Sequence, residues 1–227
     1  PAGHAMRIRS GRIERLWRYY ELPAGAGERM SVSQAVEAVR DALAGAVERQ
    51  MVADVPVGAF LSGGLDSSAV VALARGHARH GPLECFTIGF RDRMPETEGM
   101  VEDLPYAQRV AAHLGVPLHV VEVGSDMVSE LERMLYHLDE PQADPAPLNV
   151  LFIAQVARER GIKVLLSGAG GDDLFAGYRR HWALRQEQYW SWLPLVLRQG
   201  MSSVVGRLSV TQPTSRRLAK ALQYAWL

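Results

Sequence analysis

The chain has 227 residues, and its 25 Lys and Arg balance 25 Asp and Glu, so the formal net charge at pH 7 is zero; without a basic tract, a nucleic-acid partner is disfavoured. A single cysteine, Cys85, excludes an intramolecular disulfide and any multi-cysteine metal site. No apolar run approaches the roughly 18 to 20 residues that span a bilayer and no signal peptide opens the chain, so we expect a cytoplasmic protein without a membrane partner.

The first 30 residues predict a hairpin and a linker rather than a domain of their own. Gly11 separates two short strand-like runs, and residues 23–27 form a Pro- and Gly-containing linker. From Ser31 onward the apolar period becomes helical, and Ser31 with Gln34 has the spacing of a capping box. One face of this helix is apolar, with Val36, Val39, Leu43 and Val47.

Residues 55–74 carry the strongest functional signal of the chain. A short apolar run of strand length leads into the turn SGGLDS at 62–67, and a small-residue apolar helix follows. A strand that enters a glycine turn and opens a helix forms an anion site, because the first N–H groups of a helix lack partners. A carboxylate beside a phosphate requires a cation between them, so we interpret Asp66 as a Mg²⁺ ligand.

Three further apolar runs predict three more strands, at 83–90, 117–123 and 162–166. Strands that alternate with helices form right-handed βαβ units, so the pattern predicts an α/β fold with a parallel, doubly wound sheet. Ligands bind such sheets beyond the carboxyl ends of the strands. A second Gly-rich loop, at 167–173, follows the last strand, and both loops are therefore expected at the same edge.

Helical segments are predicted between these strands and after them. One begins at Asp103, which can cap it, and ends at Gly115; another begins at Ser125 or Asp126 and continues to Leu138. A third is expected to open at 144–145 and end before Gly161. Residues 182–227, with several tryptophans, predict a helical region that covers the sheet.

The two loops and the segments between them resemble a known family. The run FLSGGLDSS, then FTIGF, YAQRVAAHLGVPLHVVEV, LDEPQADPAPLN and LLSGAGGDDLFAGY are similar, in order and spacing, to the synthetase domain of glutamine-hydrolysing asparagine synthetase. SGGxDS resembles the pyrophosphate loop of the ATP pyrophosphatases. The resemblance covers about 31–181, and residues 1–30 resemble the tail of the family's glutaminase domain with its linker. We therefore expect a fragment, with 182–227 a truncated helical continuation and a glutaminase domain upstream in the natural chain.

The resemblance implies a specific reaction. The family activates a substrate carboxylate, aspartate by default, with ATP and Mg²⁺; AMP and pyrophosphate are released and glutamine-derived ammonia forms the amide. The glutaminase nucleophile is an N-terminal cysteine that these residues lack, and Cys85, inside a predicted strand, is interpreted as a buried apolar residue. The fragment alone is expected to be inactive with glutamine. Its partners are small molecules and the glutaminase domain, and a homodimer is left open.

The resemblance also implies roles for individual residues. Asp66 and Asp172 match the catalytic, metal-binding aspartates. The pyrophosphate contacts would come from the first loop, with Ser62, Gly63, Gly64, Asp66 and Ser67. The positions beside adenosine and the adenylate would be Phe60, Leu61, Ile88, Ser167 and Gly168. Helix capping is the alternative for Asp172 and Asp173, and the interpretation of Asp173 stays open between the two.

One position departs from the family pattern. The second loop commonly reads SGEGSDE or SGDGGDE, whereas here it reads SGAGGDD, so Ala169 replaces an acidic residue that faces the substrate. We therefore hypothesise a different acceptor carboxylate, such as one on a sugar or a secondary metabolite. Ring closure like that of β-lactam synthetase is a competing hypothesis, and a catalytically inactive nucleotide-binding regulatory domain is another. Asp139 and Glu140, in a turn near the same edge, are either site residues or solvated carboxylates.

Overall fold

The computed structural model describes residues 1–22, 27, 29–91, 103–140, 142, 144 and 146–186. The chain divides into two compact units, Pro1–Leu43 and Ala44–Leu227. The predicted linker at 23–27, apart from Gly27, and the predicted helical region beyond 186 lie outside the described residues. None of the helices that the structure describes has both the length and the apolar composition needed to cross a bilayer.

The first unit contains the predicted hairpin and most of the first helix. Strands β1 (His4–Arg9) and β2 (Arg12–Arg18) pair antiparallel. Ser10 and Gly11 connect them with φ of 49° and 74°, which is the left-handed backbone that a two-residue hairpin turn needs. Helix α1 (Val32–Gln50) continues into the second unit. The Gln34 N–H donates to Ser31 Oγ at 3.3 Å and the Ser31 N–H to Gln34 Oε1 at 2.9 Å, so the predicted capping box is confirmed.

The second unit is built on a parallel four-stranded sheet, as predicted. Its strands are β3 (Val57–Phe60), β4 (Cys85–Phe90), β5 (Leu118–Val123) and β6 (Val164–Leu166), in the order β5-β4-β3-β6. Strand β3 begins later than expected because Pro56 has no N–H to donate to the ladder. Since β3 lies between β4 and β6, the loops that follow β3 and β6 leave neighbouring strands at one edge of the sheet.

Helices connect and follow the strands in this unit. They are α2 (Leu65–Ala74), α3 (Leu104–Leu114), α4 (Leu131–Leu138), α5 (Ala146–Glu159), the single turn α6 (Gly171–Leu174) and α7 (Arg179–Gln186). The Ala146 N–H donates to Asp144 Oδ1 at 2.9 Å, so Asp144 caps α5 as expected. Gly115 and Gly161, with φ of 66° and 79°, follow the ends of α3 and α5.

Two helix starts differ from the expectations. Asp103 occupies the N-cap position of α3, but its side chain makes no capping hydrogen bond. Its φ and ψ of −71° and −28° are helical. A capping side chain needs an extended backbone to reach the first N–H groups of the helix. The segment expected as one helix from Ser125 is divided into a 3₁₀ turn (Ser125–Glu130) and α4.

The sheet has both faces covered. Cys85, Phe86 and Thr87 are consecutive residues of β4 and all three are buried, although successive side chains of a strand point to opposite faces. Phe86 belongs to an apolar cluster that joins β4 and β5 to α5, with Val121, Val123, Ile153, Ala157 and Ile162. A strand that is buried on both faces is typical of a parallel α/β sheet and explains the continuous apolar run in the sequence.

A polar network lies at the amino end of β4. The Glu84 carboxylate accepts a hydrogen bond from Arg160 Nε at 2.7 Å, and His119 Nε2 lies 2.9 Å from the same oxygen, within ion-pair distance but outside hydrogen-bond geometry. The hydrogen bond from Arg160, and then the charges of Arg160 and His119, hold the pKa of Glu84 below its ordinary value. Glu84 therefore stabilises the fold at neutral pH.

We expect Glu84→Gln to destabilise the protein in a pH-dependent way. The free energy of unfolding should fall by about 1 kcal/mol at pH 7, a modest value because Arg160 is half exposed. Since the folded pKa is lowered, the stabilisation is present above the unfolded pKa and is lost as the pH falls through the folded pKa. Urea denaturation at pH 7 and at pH 4 and below measures this, with Glu48→Gln, at an exposed position of α1, as control. An undiminished difference from wild type in acid would contradict the assignment.

Candidate active site

Two loops meet at the carboxyl edge of the sheet around a cavity of about 590 Å³. The first loop follows β3 and the second follows β6. Both supply most of the lining of the cavity, and the remainder comes from the end of β3, the start of α2 and helix α5. The lining residues are Phe60, Ser62, Gly64, Leu65, Asp66, Ser67, Val150, Ser167, Gly168, Ala169 and Asp172.

The first loop is held in shape by its own hydroxyl groups. Ser62 Oγ and Ser67 Oγ share a hydrogen bond of 3.0 Å, and Ser67 Oγ also accepts from the Ser62 N–H at 3.3 Å and donates to the Gly64 carbonyl at 3.2 Å. The Gly64 N–H donates to Ser62 Oγ at 3.3 Å. Helix α2 begins at Leu65, directly after this turn. The loop thus places the first N–H groups of α2, which have no partners within the helix, beside the cavity.

Gly63 connects the first loop to helix α3. Its φ is 79°, and a Cβ there would overlap the backbone of Tyr106 and Ala107 in the first turn of α3. Ala107 is fully buried at this contact. Only glycine satisfies both the left-handed backbone and the close approach, so Gly63 serves the packing of the loop.

The second loop packs directly against Asp66. A Cβ on Gly168 would lie 2.7 Å from the Ser67 nitrogen and 3.0 Å from Asp66 Cβ, and a Cβ on Gly171 would overlap the Asp66 carboxylate. In the same way, a Cβ on Gly177 would overlap the carboxylate of Asp172. Glycines therefore determine how closely the two loops approach and leave space for both carboxylates.

The structure brings most of the expected site residues together. Phe60, the serines of both loops, Gly64, Gly168 and the two aspartates all line one cavity. Leu61, Gly63 and Ile88 do not line this cavity. Leu61 is fully buried, Gly63 contacts α3, and Ile88 packs against the apolar cluster of β4, β5 and α5. Asp173, which follows Asp172 in the sequence, does not line the cavity either.

Two lining residues, Leu65 and Val150, were not expected from the sequence. Leu65 is 85 % exposed at the start of α2, and Val150 is half exposed in the first turns of α5. Both are apolar residues inside helical segments, so neither carries a chemical signal in the sequence. The position of Leu65 within the SGGLDS turn is the one feature that could have suggested it.

The donor set of the cavity fits Mg²⁺. Asp66 and Asp172 offer carboxylate oxygens, and Ser62, Ser67 and Ser167 line the same cavity. Among the described residues no group of three or more His, Cys, Asp or Glu is placed to hold a metal ion. Mg²⁺ is commonly bound by one or two carboxylates together with substrate phosphates and water, so two aspartates are an appropriate number for a nucleotide-dependent site.

Cys85 lies in β4, away from the cavity, and is completely buried. Burial raises the pKa of its thiol to about 12, so the thiolate that a nucleophile requires is not formed near neutral pH. The interpretation of Cys85 as a buried apolar residue agrees with this environment.

Cys85 should therefore be unreactive in the folded protein. We expect no reaction with a thiol-specific disulfide reagent at pH 8 in native buffer and one thiol per chain in guanidinium chloride. A cysteine at the exposed position Ala72, introduced as Ala72→Cys, should react at once and serves as the control. Stoichiometric modification of native Cys85, faster than global unfolding, would contradict the assignment.

The turn after α4 does not contribute to the described cavity. Asp139 and Glu140 are exposed, and neither belongs to its lining. Asp139 has φ 59°, the left-handed conformation that commonly ends a helix and that aspartate tolerates better than most residues. Within the described structure, these carboxylates agree with the interpretation as solvated side chains.

Comparison with known proteins matches the chain to one family. The asparagine synthase family model matches residues 38–227. An asparagine synthetase (glutamine-hydrolyzing) 1 of Bacillus subtilis is 40 % identical over 144 residues, which are 63 % of this chain and 21 % of the relative. Asparagine synthetase (glutamine-hydrolyzing) 3 of the same organism is 30 % identical over 72 % of this chain and 28 % of its own length.

A further relative carries a different name. The amidase chyE of Penicillium rubens is 33 % identical over 161 residues, 65 % of this chain and 23 % of the relative. The chain thus spans between a fifth and three tenths of the length of these relatives. Because the family model matches most of the chain, and the parallel sheet with its two converging loops is present, this protein belongs to the asparagine synthase family.

Proposed function

We propose that this chain is the ATP-dependent synthetase part of a glutamine-dependent amidotransferase. It binds ATP at the carboxyl edge of the sheet, transfers AMP to the carboxylate of an acceptor with release of pyrophosphate, and holds the acyl-adenylate for attack by ammonia. One observation carries the proposal: the loops after β3 and β6 bring Asp66 and Asp172 to one cavity beside the start of α2.

Residues of the cavity have separate tasks in this proposal. The N–H groups at the start of α2 and the hydroxyls of Ser62 and Ser67 receive the β- and γ-phosphates. Asp66 and Asp172 would hold Mg²⁺, which supplies positive charge against the charge that develops on the departing pyrophosphate. Gly168 and Gly171 allow the second loop to approach Asp66, so that a phosphate chain is enclosed from both sides.

The ammonia source is a second part of the proposal. Relatives that match this chain are named as glutamine-hydrolyzing, which supports glutamine as the amide donor. Cys85, the single cysteine, is buried and unsuited to attack glutamine. We therefore expect the 227 residues to use free ammonia, and glutamine only together with a glutaminase domain.

Exchange of radiolabelled pyrophosphate into ATP tests the proposed activation step. With Mg²⁺ and a panel of carboxylates, the intact protein should catalyse exchange that depends on one class of acceptor. ATP binding without exchange for any carboxylate would favour a nucleotide-binding regulatory domain. Release of a cyclic amide (a lactam) in the absence of ammonia would favour ring closure.

The acceptor need not be aspartate, and one observation favours a different carboxylate. Ala169 lines the cavity next to Gly168, and Val150 and Leu65 add further apolar surface. The described lining contains two carboxylates and no Lys, Arg or His, so a second carboxylate on the acceptor finds no positive partner there. In addition, one relative is named an amidase. Strong pyrophosphate exchange with aspartate alone would remove this second candidate.

A further inference from the structure

A second cavity lies at the opposite, amino edge of the sheet. It has a volume of about 160 Å³ and is formed where three chain connections meet: α1 to β3, α2 to β4, and α5 to β6. Apolar residues make up much of its wall, with Met51, Val55, Pro56, Val57, Ala78, Pro82 and Ile162. Its charged and titratable residues are Arg79, His80, Glu84 and Arg160. None of these residues takes part in the site at the carboxyl edge.

Positive charge is in excess in this cavity. Two arginines face one carboxylate, and that carboxylate, Glu84, is already engaged with Arg160 at 2.7 Å and lies 2.9 Å from His119. Arg79 and His80 have neither a hydrogen bond nor an ion pair to any residue in the described part of the chain. The cavity therefore carries a cationic side chain, Arg79, without a counter-ion among the described residues.

Arg160 adds donors that are already positioned. A guanidinium has five N–H groups in a planar fork, and the bond to Glu84 uses only the one on Nε. The four N–H groups on its terminal nitrogens have no partner in the described structure. Because Glu84 holds the guanidinium in place, little further entropy is lost when these N–H groups bind a ligand.

We propose that this cavity is a binding site for a small oxyanion, a phosphate or a short carboxylate. The terminal N–H groups of Arg160 match the paired oxygens of such an anion, and Arg79 and His80 supply the remaining charge and donors. A volume of about 160 Å³ is smaller than the roughly 300 Å³ at which drug-sized ligands begin, so the ligand has only a few heavy atoms. Bound there, it would join the connections that lead into β3, β4 and β6.

Nuclear magnetic resonance of the 227-residue chain can separate this site from the phosphate site at the other edge. We expect inorganic phosphate, titrated at constant ionic strength, to shift the backbone amides of 78–81, 83–84 and 160–162 up to a saturating limit, in addition to those of 62–67. A separate titration with acetate distinguishes a carboxylate ligand from a phosphate. If acetate shifts the amides between residues 78 and 84 and phosphate does not, the ligand is a carboxylate. Shifts limited to 62–67 and 167–172 with both anions would overturn the proposal.

A double substitution tests the residues. Arg79→Gln with His80→Gln changes two exposed side chains that have no partner within the described structure. The dissociation constant measured from the shifts of 160–162 should rise at least tenfold, whereas the shifts of 62–67 should stay unchanged. The matched control, Arg133→Gln with His137→Gln, removes the same residue types from the exposed surface of α4 and should change neither set. The same phosphate affinity in both double variants would show general charge screening and refute the site. Shifts with chloride as large as those with phosphate would refute it as well.

Discussion

Asp66→Asn should abolish Mg²⁺-dependent release of pyrophosphate in the intact protein and leave the fold intact. The asparagine keeps the shape of the side chain between the first loop and Gly168 but removes the negative charge that would hold Mg²⁺. Because the metal stabilises transition-state charge by several kcal/mol, and each 1.36 kcal/mol is a factor of ten, we expect a loss of roughly 100-fold or more in kcat. Pyrophosphate release, measured with a coupled inorganic pyrophosphatase, gives the rate.

The matched control for this substitution lies in the second loop. Asp172→Asn should behave like Asp66→Asn, because both carboxylates line the cavity, whereas Asp173→Asn should retain activity close to that of wild type. Thermal unfolding should be similar for all three variants. Equal loss of activity in Asp172→Asn and Asp173→Asn, or full activity of Asp66→Asn, would show that the assignment of the carboxylates is wrong.

Gly168→Ala should separate the two loops. Its Cβ would lie 2.7 Å from the Ser67 nitrogen and 2.9 Å from the Asp66 carbonyl carbon, and backbone atoms cannot move aside as the end of a side chain can. We expect the free energy of unfolding to fall by about 1–3 kcal/mol, as for other overpacked contacts. Misplacement of the site by about 1 Å should lower the rate of pyrophosphate exchange roughly 100-fold.

Gly76→Ala is the appropriate control for Gly168→Ala. A Cβ at Gly76 meets nothing within 4 Å, and its φ lies outside the left-handed region. This variant should be as stable as wild type or more stable by about 0.4–1 kcal/mol, with normal exchange. Normal exchange in Gly168→Ala would contradict the inferred contact between the loops.

The fold was largely predictable because its elements have strong local signals. Apolar runs buried on both faces, such as that of β4, are recognisable without tertiary information, and glycines at the ends of α3 and α5 mark where each helix stops. The parallel arrangement of the strands then follows from the alternation of strands and helices, whereas their order in the sheet does not. The strand ends were less predictable, because Pro56 and the loop geometry decide which residues pair.

Most residues that line the candidate site were predictable from the sequence, but their packing was not. Serines, glycines and aspartates at the ends of predicted strands indicate a phosphate site, and these residues do line one cavity. The contact between Gly63 and the first turn of α3, by contrast, joins residues more than 40 positions apart. Likewise, Val150 reaches the cavity only because α5 packs beside the sheet, so tertiary structure alone reveals it.

Transfer of oxygen from the acceptor to AMP tests the proposed adenylation most directly. With an acceptor that exchanges pyrophosphate, labelled with ¹⁸O in its carboxylate, the intact protein should produce the amide, pyrophosphate and AMP that contains one ¹⁸O. The label reaches AMP because a carboxylate oxygen attacks the α-phosphate. When ammonia then attacks the acyl carbon, AMP leaves and keeps that oxygen. Phosphorus NMR or mass spectrometry detects the label. Formation of ADP and phosphate, or of AMP without ¹⁸O, would contradict an acyl-adenylate mechanism.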